Sequence, residues 1–354
     1  MSVLQKTSSI TAQILTALDT AKKEILFQAY YVDNDAIFEL YAKKFLAKRT
    51  QGVIIHCLFD ALGASQIPGS DIEKQLIAAG VHIQYFNWLT PWANHNKKIF
   101  YFRNHKRGLI IDRKTVHTGG WCVGEKTENW IESYIVSQDL GIVEKAVEDF
   151  WNMYTYAHKS TLRFKHQKKY TFDSNLIASY TYQAPILRGR YIYYTYKKLI
   201  ASATKEISIV VPYFAPIHGL KNALYRAHRR GVVISIFLPK KTDSKFVDLV
   251  ARTYIYRLLK LGVHIYFSDT MIHAKASRID DVLYVGSLNL DTASLRYNFE
   301  NGIFTKDQVL LRDFEKDLYA LRLSCHKVTF EEWNNRSLWE RFLDRFMKIF
   351  RAFA

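Results

Sequence analysis

Short apolar runs alternate with amphipathic stretches along most of the chain. The runs at 25–32, 53–59 and 82–86 are rich in β-branched and aromatic residues, which favours buried strands. Between them, stretches such as 36–49 carry apolar residues at helical spacing. Strands that alternate with helices indicate an α/β fold, and we predict mixed, mostly parallel sheets covered by helices on both faces.

The pattern occurs twice. AKKEILFQAYYV, QGVIIHCLFD and AGVHIQYF return in the same order, about 180 residues later, as ATKEISIVVPYF, RGVVISIFLP and LGVHIYFS. We therefore predict two duplicated α/β/α lobes that meet at a pseudo-two-fold interface with their equivalent sites face to face. The predicted boundaries are 1–160 for lobe 1, 161–184 for a polar linker, 185–330 for lobe 2 and 331–354 for an amphipathic helix.

Each lobe carries a histidine, a basic residue and an aspartate after its third predicted strand. The two sets are His105, Arg107 and Asp112 in lobe 1, and His273, Lys275 and Asp280 in lobe 2. On a strand, positions i and i+2 share a face, so each histidine points the same way as the following cation. Such a cation can neutralise phosphate oxygens while the imidazole reaches phosphorus. We expect each aspartate to orient a histidine, most simply that of the opposite lobe.

A turn of small residues follows each set. Gly119 and Gly120 form it in lobe 1, and Gly286-Ser287-Leu288-Asn289 forms it in lobe 2. Glycine lets the backbone approach a ligand closely, and N–H or hydroxyl groups can then donate to phosphate oxygens. Gly119, Gly120, Ser287 and Asn289 are therefore candidate phosphate-binding residues.

His-x-Lys-x4-Asp followed by Gly-Ser-x-Asn, present twice, resembles the signature of the phospholipase D superfamily. NHKRGLIIDRKTVHTGG, VVPYFAPI and GSLNLDTASLRYNFE resemble its bacterial cardiolipin synthase branch, and the similarity covers approximately residues 10–302. The resemblance implies a two-step mechanism without metal or cofactor, in which His105 attacks phosphorus and His273 acts as general acid and base. It also implies that Tyr213 lines a lipid or head-group pocket, although a core position is an equal interpretation. The resemblance further implies that Glu300 binds head-group hydroxyls or contacts the active-site residues without touching the substrate.

Lobe 1 departs from this pattern at two positions. Arg107 stands where the family has lysine, and Cys122 stands where the first motif would place asparagine. Arginine keeps the positive charge and can bind a phosphate with its planar fork. The alternative is that lobe 1 has drifted and activity is weak or lost. We expect activity because both histidines, both aspartates and Lys275 are present.

A net charge of +17 over 354 residues indicates an anionic partner. We predict a phosphatidyltransferase of cardiolipin synthase type, which joins two molecules of phosphatidylglycerol and releases glycerol. The alternatives are a metal-independent phosphodiesterase or nuclease and a phospholipase D hydrolase, with nucleic acid the second choice of partner. The sequence gives no indication of oligomeric state.

Three features of the sequence bear on the cellular location of the protein. We find no apolar run of about 18 residues, no signal-peptide pattern, and three cysteines without paired spacing. We predict a peripheral protein on the cytoplasmic face of the cell membrane. From Ser337 a capping box begins a helix with apolar and aromatic residues on one side and basic residues on the other. Packing on the body or a second subunit is one interpretation, and we favour the other, an in-plane membrane anchor.

Overall fold

The computed structural model describes residues 2–87, 102–159, 176–184 and 189–352. The strands are β1 (Leu4–Lys6), β2 (Glu24–Ala29), β3 (Ile54–Asp60), β4 (His82–Phe86), β5 (Gly108–Ile111), β6 (Thr115–Gly119), β7 (Ile131–Ser137), β8 (Ala178–Gln183), β9 (Glu206–Val210), β10 (Val233–Pro239), β11 (His264–Ser268), β12 (Ala276–Ile279), β13 (Val282–Gly286), β14 (Glu300–Thr305) and β15 (His326–Val328). The helices are α1 (Thr7–Asp19), α2 (Ala36–Thr50), α3 (Asp71–Ala78), α4 (Leu140–Lys159), α5 (Tyr191–Ser202), α6 (His218–Arg229), α7 (Lys245–Lys260), α8 (Thr292–Arg296), α9 (Gln308–Ser324), α10 (Phe330–Asn334) and α11 (Leu338–Met347).

The two lobes have the same sheet topology. The strand order is β1-β7-β6-β5-β2-β3-β4 in lobe 1 and, read from the equivalent edge, β8-β14-β13-β12-β9-β10-β11-β15 in lobe 2. The predicted duplication is confirmed, and β15 is an addition at the far edge of lobe 2.

The predicted α/β fold with mixed sheets is confirmed, but the expectation that the strands pair mostly in parallel is wrong. Only β2-β3-β4 and β9-β10-β11 pair in parallel among the described strands, and the other pairs are antiparallel. After its third strand each lobe returns through hairpins, whose strands are necessarily antiparallel. Asp112 and Asp280 begin the turns of the β5-β6 and β12-β13 hairpins with φ angles of 51° and 50°.

The predicted linker at 161–184 contains an element of lobe 2. Residues 160–175 lie outside the described residues, but β8 pairs antiparallel with β14 along its whole length. It occupies the edge that β1 occupies in lobe 1, so the second repeat has already begun there. Tyr180 and Tyr182 of β8 are buried in the core between the lobes, which explains the alternating tyrosines of this segment.

Among the described residues, buried hydrophobic side chains form three clusters. One lies within lobe 1 and one within lobe 2. The third contains residues from both sheets together with α4 and α9, and in it the rings of Phe86 and Phe299 lie 5.3 Å apart between centroids. This shared core fixes the two lobes against each other, which is what a site at their interface requires.

The C-terminal segment is not one continuous helix. It consists of α10, α11 and a 3-10 turn (Lys348–Ala352). The capping box predicted at Ser337 is confirmed, because its side chain accepts from the Glu340 N–H and the Glu340 carboxylate accepts from Ser337. In the described part of the chain, none of the helices combines the length and apolarity needed to cross a membrane.

Candidate active site

The two histidines lie where the lobes meet, each in an extended segment just before a strand. The N–H of His105, ahead of β5, donates to the Phe299 carbonyl at 2.9 Å. The N–H of His273, ahead of β12, donates to the Ile131 carbonyl at 2.8 Å. Phe299 and Ile131 each precede a glutamate near the start of β14 or β7. The backbone of each histidine is therefore aligned with an acidic residue of the opposite lobe.

Those glutamates contact the imidazoles. Both carboxylate oxygens of Glu300 lie 3.0 Å from Nδ1 of His105, and Oε1 of Glu132 lies 2.6 Å from Nδ1 of His273. All four side chains are buried. A carboxylate accepts the proton of Nδ1 and so favours the tautomer in which Nε2 keeps its lone pair. Each histidine is thereby prepared to attack or to accept a proton through Nε2.

Two cations complete the centre. Lys275 Nζ lies 2.9 Å from both ring nitrogens of His273 and donates to the His273 carbonyl at 2.5 Å. In lobe 1, Arg107 Nη1 donates to the His105 carbonyl, also at 2.5 Å. Arginine thus repeats the contact that lysine makes in lobe 2, so the substitution preserves a cation beside each histidine.

The electrostatics of the site follow from burial and from these cations. Burial first, then Arg107 and Lys275, lower the pKa of His105 well below its ordinary value. Burial and Lys275 do the same for His273. Burial also raises the pKa of Glu300 to about 8 and lowers that of Lys275 to about 8. Because each glutamate contacts its histidine, the pair gains and loses protons as a unit.

Cys122 lies inside the site. Its Sγ is 3.8 Å from Nδ1 of His273 and 3.9 Å from Nη2 of Arg107, and burial raises its pKa, which keeps the thiol neutral. The ligand atoms of Cys122, Glu132 and His273 lie within 4.8 Å of one another, as metal ligands can. The ammonium of Lys275 lies 2.9 Å from Nδ1 of His273, and the guanidinium of Arg107 lies 3.9 Å from Sγ of Cys122. Two fixed cations at this position suit a bound anion better than a metal ion.

The small residues of the two turns fit closely around the pairs. A Cβ on Gly120 would lie 2.6 Å from Oε2 of Glu132, and one on Gly119 would lie 2.0 Å from the Ser133 carbonyl. Ser287 Oγ donates to Glu300 at 2.5 Å. Gly119, Gly120 and Ser287 therefore hold the glutamates and their strands in place, rather than simply presenting donors to a ligand.

Tyr213 lies near His273, and the chain at Asn289 lies beside Tyr213. The ring centroid of Tyr213 is 6.3 Å from that of His273, and its hydroxyl donates to Asp243. The main chain of Tyr213 accepts a hydrogen bond from Leu290, the neighbour of Asn289. Asn289 is buried, and within the described part of the chain its Oδ1 has no hydrogen-bond partner.

Asp112 and Asp280 do not orient the histidines, which corrects that prediction. Asp112 accepts hydrogen bonds from the main-chain N–H groups of residues 22–24 at 2.7–2.9 Å, and Asp280 from those of residues 204–206 at 2.8–3.0 Å. Seven extended residues span about 20 Å, so each strand carries its aspartate far from the histidine. Both carboxylates fasten a hairpin turn to the start of a parallel strand.

Three residues near the histidines, Glu132, Tyr30 and Trp130, are not among those predicted from the sequence. Glu132 had a usable signal, since it follows His105 by 27 residues just as Glu300 follows His273. The Tyr30 ring lies 4.8 Å from the His105 ring, and the Trp130 ring lies 5.1 Å from the His273 ring. The aligned repeats carry no aromatic residue at either equivalent position, so the duplication does not reveal these two.

Comparison with known sequences agrees with the resemblance. The family model described as "Cardiolipin synthase, PLD-like domain" matches residues 14–154 and 196–322. The chain is 30% identical over 344 residues to Major cardiolipin synthase ClsA of Bacillus subtilis, which covers 93% of this chain and 70% of the relative. It is 28% identical over 358 residues to a cardiolipin synthase of Clostridium perfringens, covering 97% and 74%.

Comparison with solved structures agrees with the fold. Phosphatidylserine synthase of Haemophilus influenzae superposes with a TM-score of 0.75 at 15% identity, over 98% of this chain and 92% of that one. Polyphosphate kinase of Porphyromonas gingivalis gives a TM-score of 0.61 at 10% identity, over 99% of this chain and 53% of that one. At these identities the likeness shows a common architecture.

Proposed function

The chain belongs to the phospholipase D-like cardiolipin synthase family, and from that premise we propose that it is a phosphatidyltransferase that forms cardiolipin from two molecules of phosphatidylglycerol. The observation that carries the proposal is the pair of histidine–glutamate contacts exchanged between the lobes, with a cation beside each histidine. This arrangement supplies two imidazoles and a positively charged centre for one phosphodiester. The names of the relatives identify the class of lipid product.

In the first step, Nε2 of His105 attacks phosphorus of a phosphatidylglycerol. The N–P bond forms and the bond from phosphorus to the glycerol oxygen breaks, while His273, which holds the extra proton of its pair with Glu132 on Nε2, gives that proton to the oxygen and glycerol leaves. Lys275 and Arg107 stabilise the negative charge that builds up on the phosphoryl oxygens. Glu300 supports the positive charge that His105 acquires.

In the second step, the roles of donor and acceptor reverse. His273, now neutral and held by Glu132, takes the proton from a glycerol hydroxyl of a second phosphatidylglycerol. That oxygen attacks phosphorus, the N–P bond breaks, and cardiolipin leaves with His105 restored. Over the whole cycle the pair of His273 and Glu132 gives one proton to the leaving glycerol and takes one back from the incoming hydroxyl, which the coupled titration of the pair allows.

We further propose that the protein works as a peripheral protein on the cytoplasmic face of a membrane. The net charge of +17 favours a surface of anionic lipids, and phosphatidylglycerol is both anionic and the proposed substrate. The three cysteines are unpaired, which suits a reducing compartment.

The test is incubation of the purified full chain with phosphatidylglycerol vesicles and analysis of the products by mass spectrometry. We expect cardiolipin and free glycerol in equal amounts. His105→Ala and His273→Ala should abolish both, and His264→Ala, a strand histidine outside the site, should retain turnover. We expect a trapped phosphoenzyme to need His105, and an adduct mapped to His273 would reverse the roles of the two histidines. Phosphatidic acid without cardiolipin would make water the acceptor and contradict the proposal.

A further inference from the structure

Part of α11 carries large apolar side chains that the body of the protein leaves uncovered. Leu338, Trp339, Phe342 and Phe346 are 81, 69, 57 and 48% exposed. At about 100° per residue these four positions fall within an arc of about 100° on one side of the helix. Ile349 extends the row into the following turn and is 70% exposed. Single exposed apolar residues are ordinary, but a contiguous row of this kind marks an interaction site.

The opposite side of α11 is firmly attached, so the exposed row has a fixed orientation. Met347 is buried in the lobe 2 core. Asp344 accepts from Arg336 at 2.6 Å and lies 3.2 Å from Arg252, which also contacts Glu340 at 3.0 Å. The helix therefore packs on the body with one side and presents its apolar row on the other. Packing on the body and anchoring in a membrane are therefore compatible interpretations of this helix, because each uses a different side of it.

Basic residues border the apolar row. Arg341 and Arg345 project next to the row on the side away from Leu343, and Lys348 follows at the end of the helix. Arg345 and Lys348 are exposed, whereas the acidic residues Glu340 and Asp344 are engaged by arginines of the body. The free charge along this edge is therefore positive, next to aromatic side chains that suit the boundary between lipid head groups and acyl chains.

We propose that this row, Leu338, Trp339, Phe342, Phe346 and Ile349 with its basic border, is the surface that docks the enzyme on a bilayer of anionic phospholipids. The apolar side chains enter the interfacial region, while Arg341, Arg345 and Lys348 bind anionic head groups. A second copy of the chain is a poorer partner. Symmetric pairing through this surface would bring the same cations together on two molecules that each carry +17.

The proposal rests on the proposed function for the presence of substrate in the bilayer, but docking itself needs no turnover. The experiment is therefore flotation of the full chain with vesicles of phosphatidylcholine, with and without phosphatidylglycerol. We expect Phe342→Glu to weaken partitioning onto the mixed vesicles by about tenfold or more, because it removes an apolar contact and adds a charge that the head groups repel. Arg341→Gln with Arg345→Gln should reduce the preference for the anionic vesicles severalfold.

The matched control is Leu323→Glu, which places the same charge on α9 at a side chain that is 72% exposed. It should float like the parent chain. Turnover of phosphatidylglycerol in detergent micelles should stay within about twofold of the parent for every variant, since none touches the site. Parental flotation of Phe342→Glu, an equal loss in Leu323→Glu, or a parent dimer that Phe342→Glu dissociates in sedimentation would overturn the docking proposal. Flotation without cardiolipin synthesis would instead refute the proposed function alone.

Discussion

Replacing Glu132 with glutamine should slow turnover strongly while leaving the fold intact. The carboxylate lies 2.6 Å from Nδ1 of His273, and the side chains of Glu132 and His273 are 0 and 6% exposed. Glutamine has the same shape and can still accept the Nδ1 proton, but it removes the negative charge that stabilises an imidazolium. A hydrogen bond to a charged group contributes up to about 3 kcal/mol, and burial of this pair places it in the upper half of that range. About 2–3 kcal/mol corresponds to a 30- to 150-fold loss in kcat.

The assay is the initial rate of cardiolipin formation as a function of pH. Without the carboxylate, His273 loses its proton more easily, so the alkaline limb of kcat/KM should move to lower pH. The matched control is Glu73→Gln, which alters a buried glutamate that hydrogen-bonds Tyr85 at 2.6 Å away from the site. Turnover reduced by less than threefold, an unmoved alkaline limb, or the same loss in Glu73→Gln would refute this role for Glu132.

Three further substitutions test the rest of the site. Asp112→Asn should lower thermal stability and leave kcat within about threefold, because the carboxylate accepts three main-chain hydrogen bonds in a turn. Those hydrogen bonds lower the pKa of Asp112, so its contribution to the stability of the fold is present at neutral pH and is lost as the pH falls below about 4. A large loss of kcat without a change in melting temperature would restore Asp112 to the active site. Lys275→Arg should make the alkaline limb of kcat/KM less steep, because burial lowers the pKa of the lysine to about 8 whereas arginine stays charged, so that only the His273–Glu132 pair still loses a proton there. An unchanged slope counts against this. Cys122→Asn should keep at least the parental rate, since an amide at that position can donate to a phosphate oxygen; a tenfold loss would mean that the buried thiol itself is needed.

The sequence predicts the parts of the site that depend on repetition and on strand geometry. The duplicated motifs identify two lobes and pair His105 with His273, and the alternation of a strand correctly separates Arg107 from Lys106, whose ammonium contacts Asp149 on the other side. The carboxylates that contact the two histidines are not predicted in this way. Glu132 and His273 are separated by 141 residues, and their contact depends on how β7 meets the segment before β12 across the interface. Strand periodicity carries no information about that register, so the prediction that the motif aspartate of the opposite lobe contacts the histidine is wrong.

The C-terminal segment shows the same limit at the surface. Its apolar and basic residues are visible in the sequence, but the division of the apolar side into a covered half and an exposed half is not. Met347 is buried while Phe346, its neighbour in sequence, is half exposed. That difference arises because α7 covers only one side of the helix, through the contacts of Arg252.

The exchange of glutamates between the lobes means that neither half contains a complete catalytic pair of its own. Two separate identical subunits could build the same centre, but every mutation would then appear twice, once on each side of the substrate. Joining the halves in one polypeptide removes that constraint and also makes assembly of the centre independent of protein concentration. Arg107 and Cys122 occur in lobe 1 only, and Lys275 and Asn289 stand at the equivalent positions of lobe 2. The tether thus lets the donor and acceptor sides of the phosphate evolve independently, as a reaction with two different steps requires.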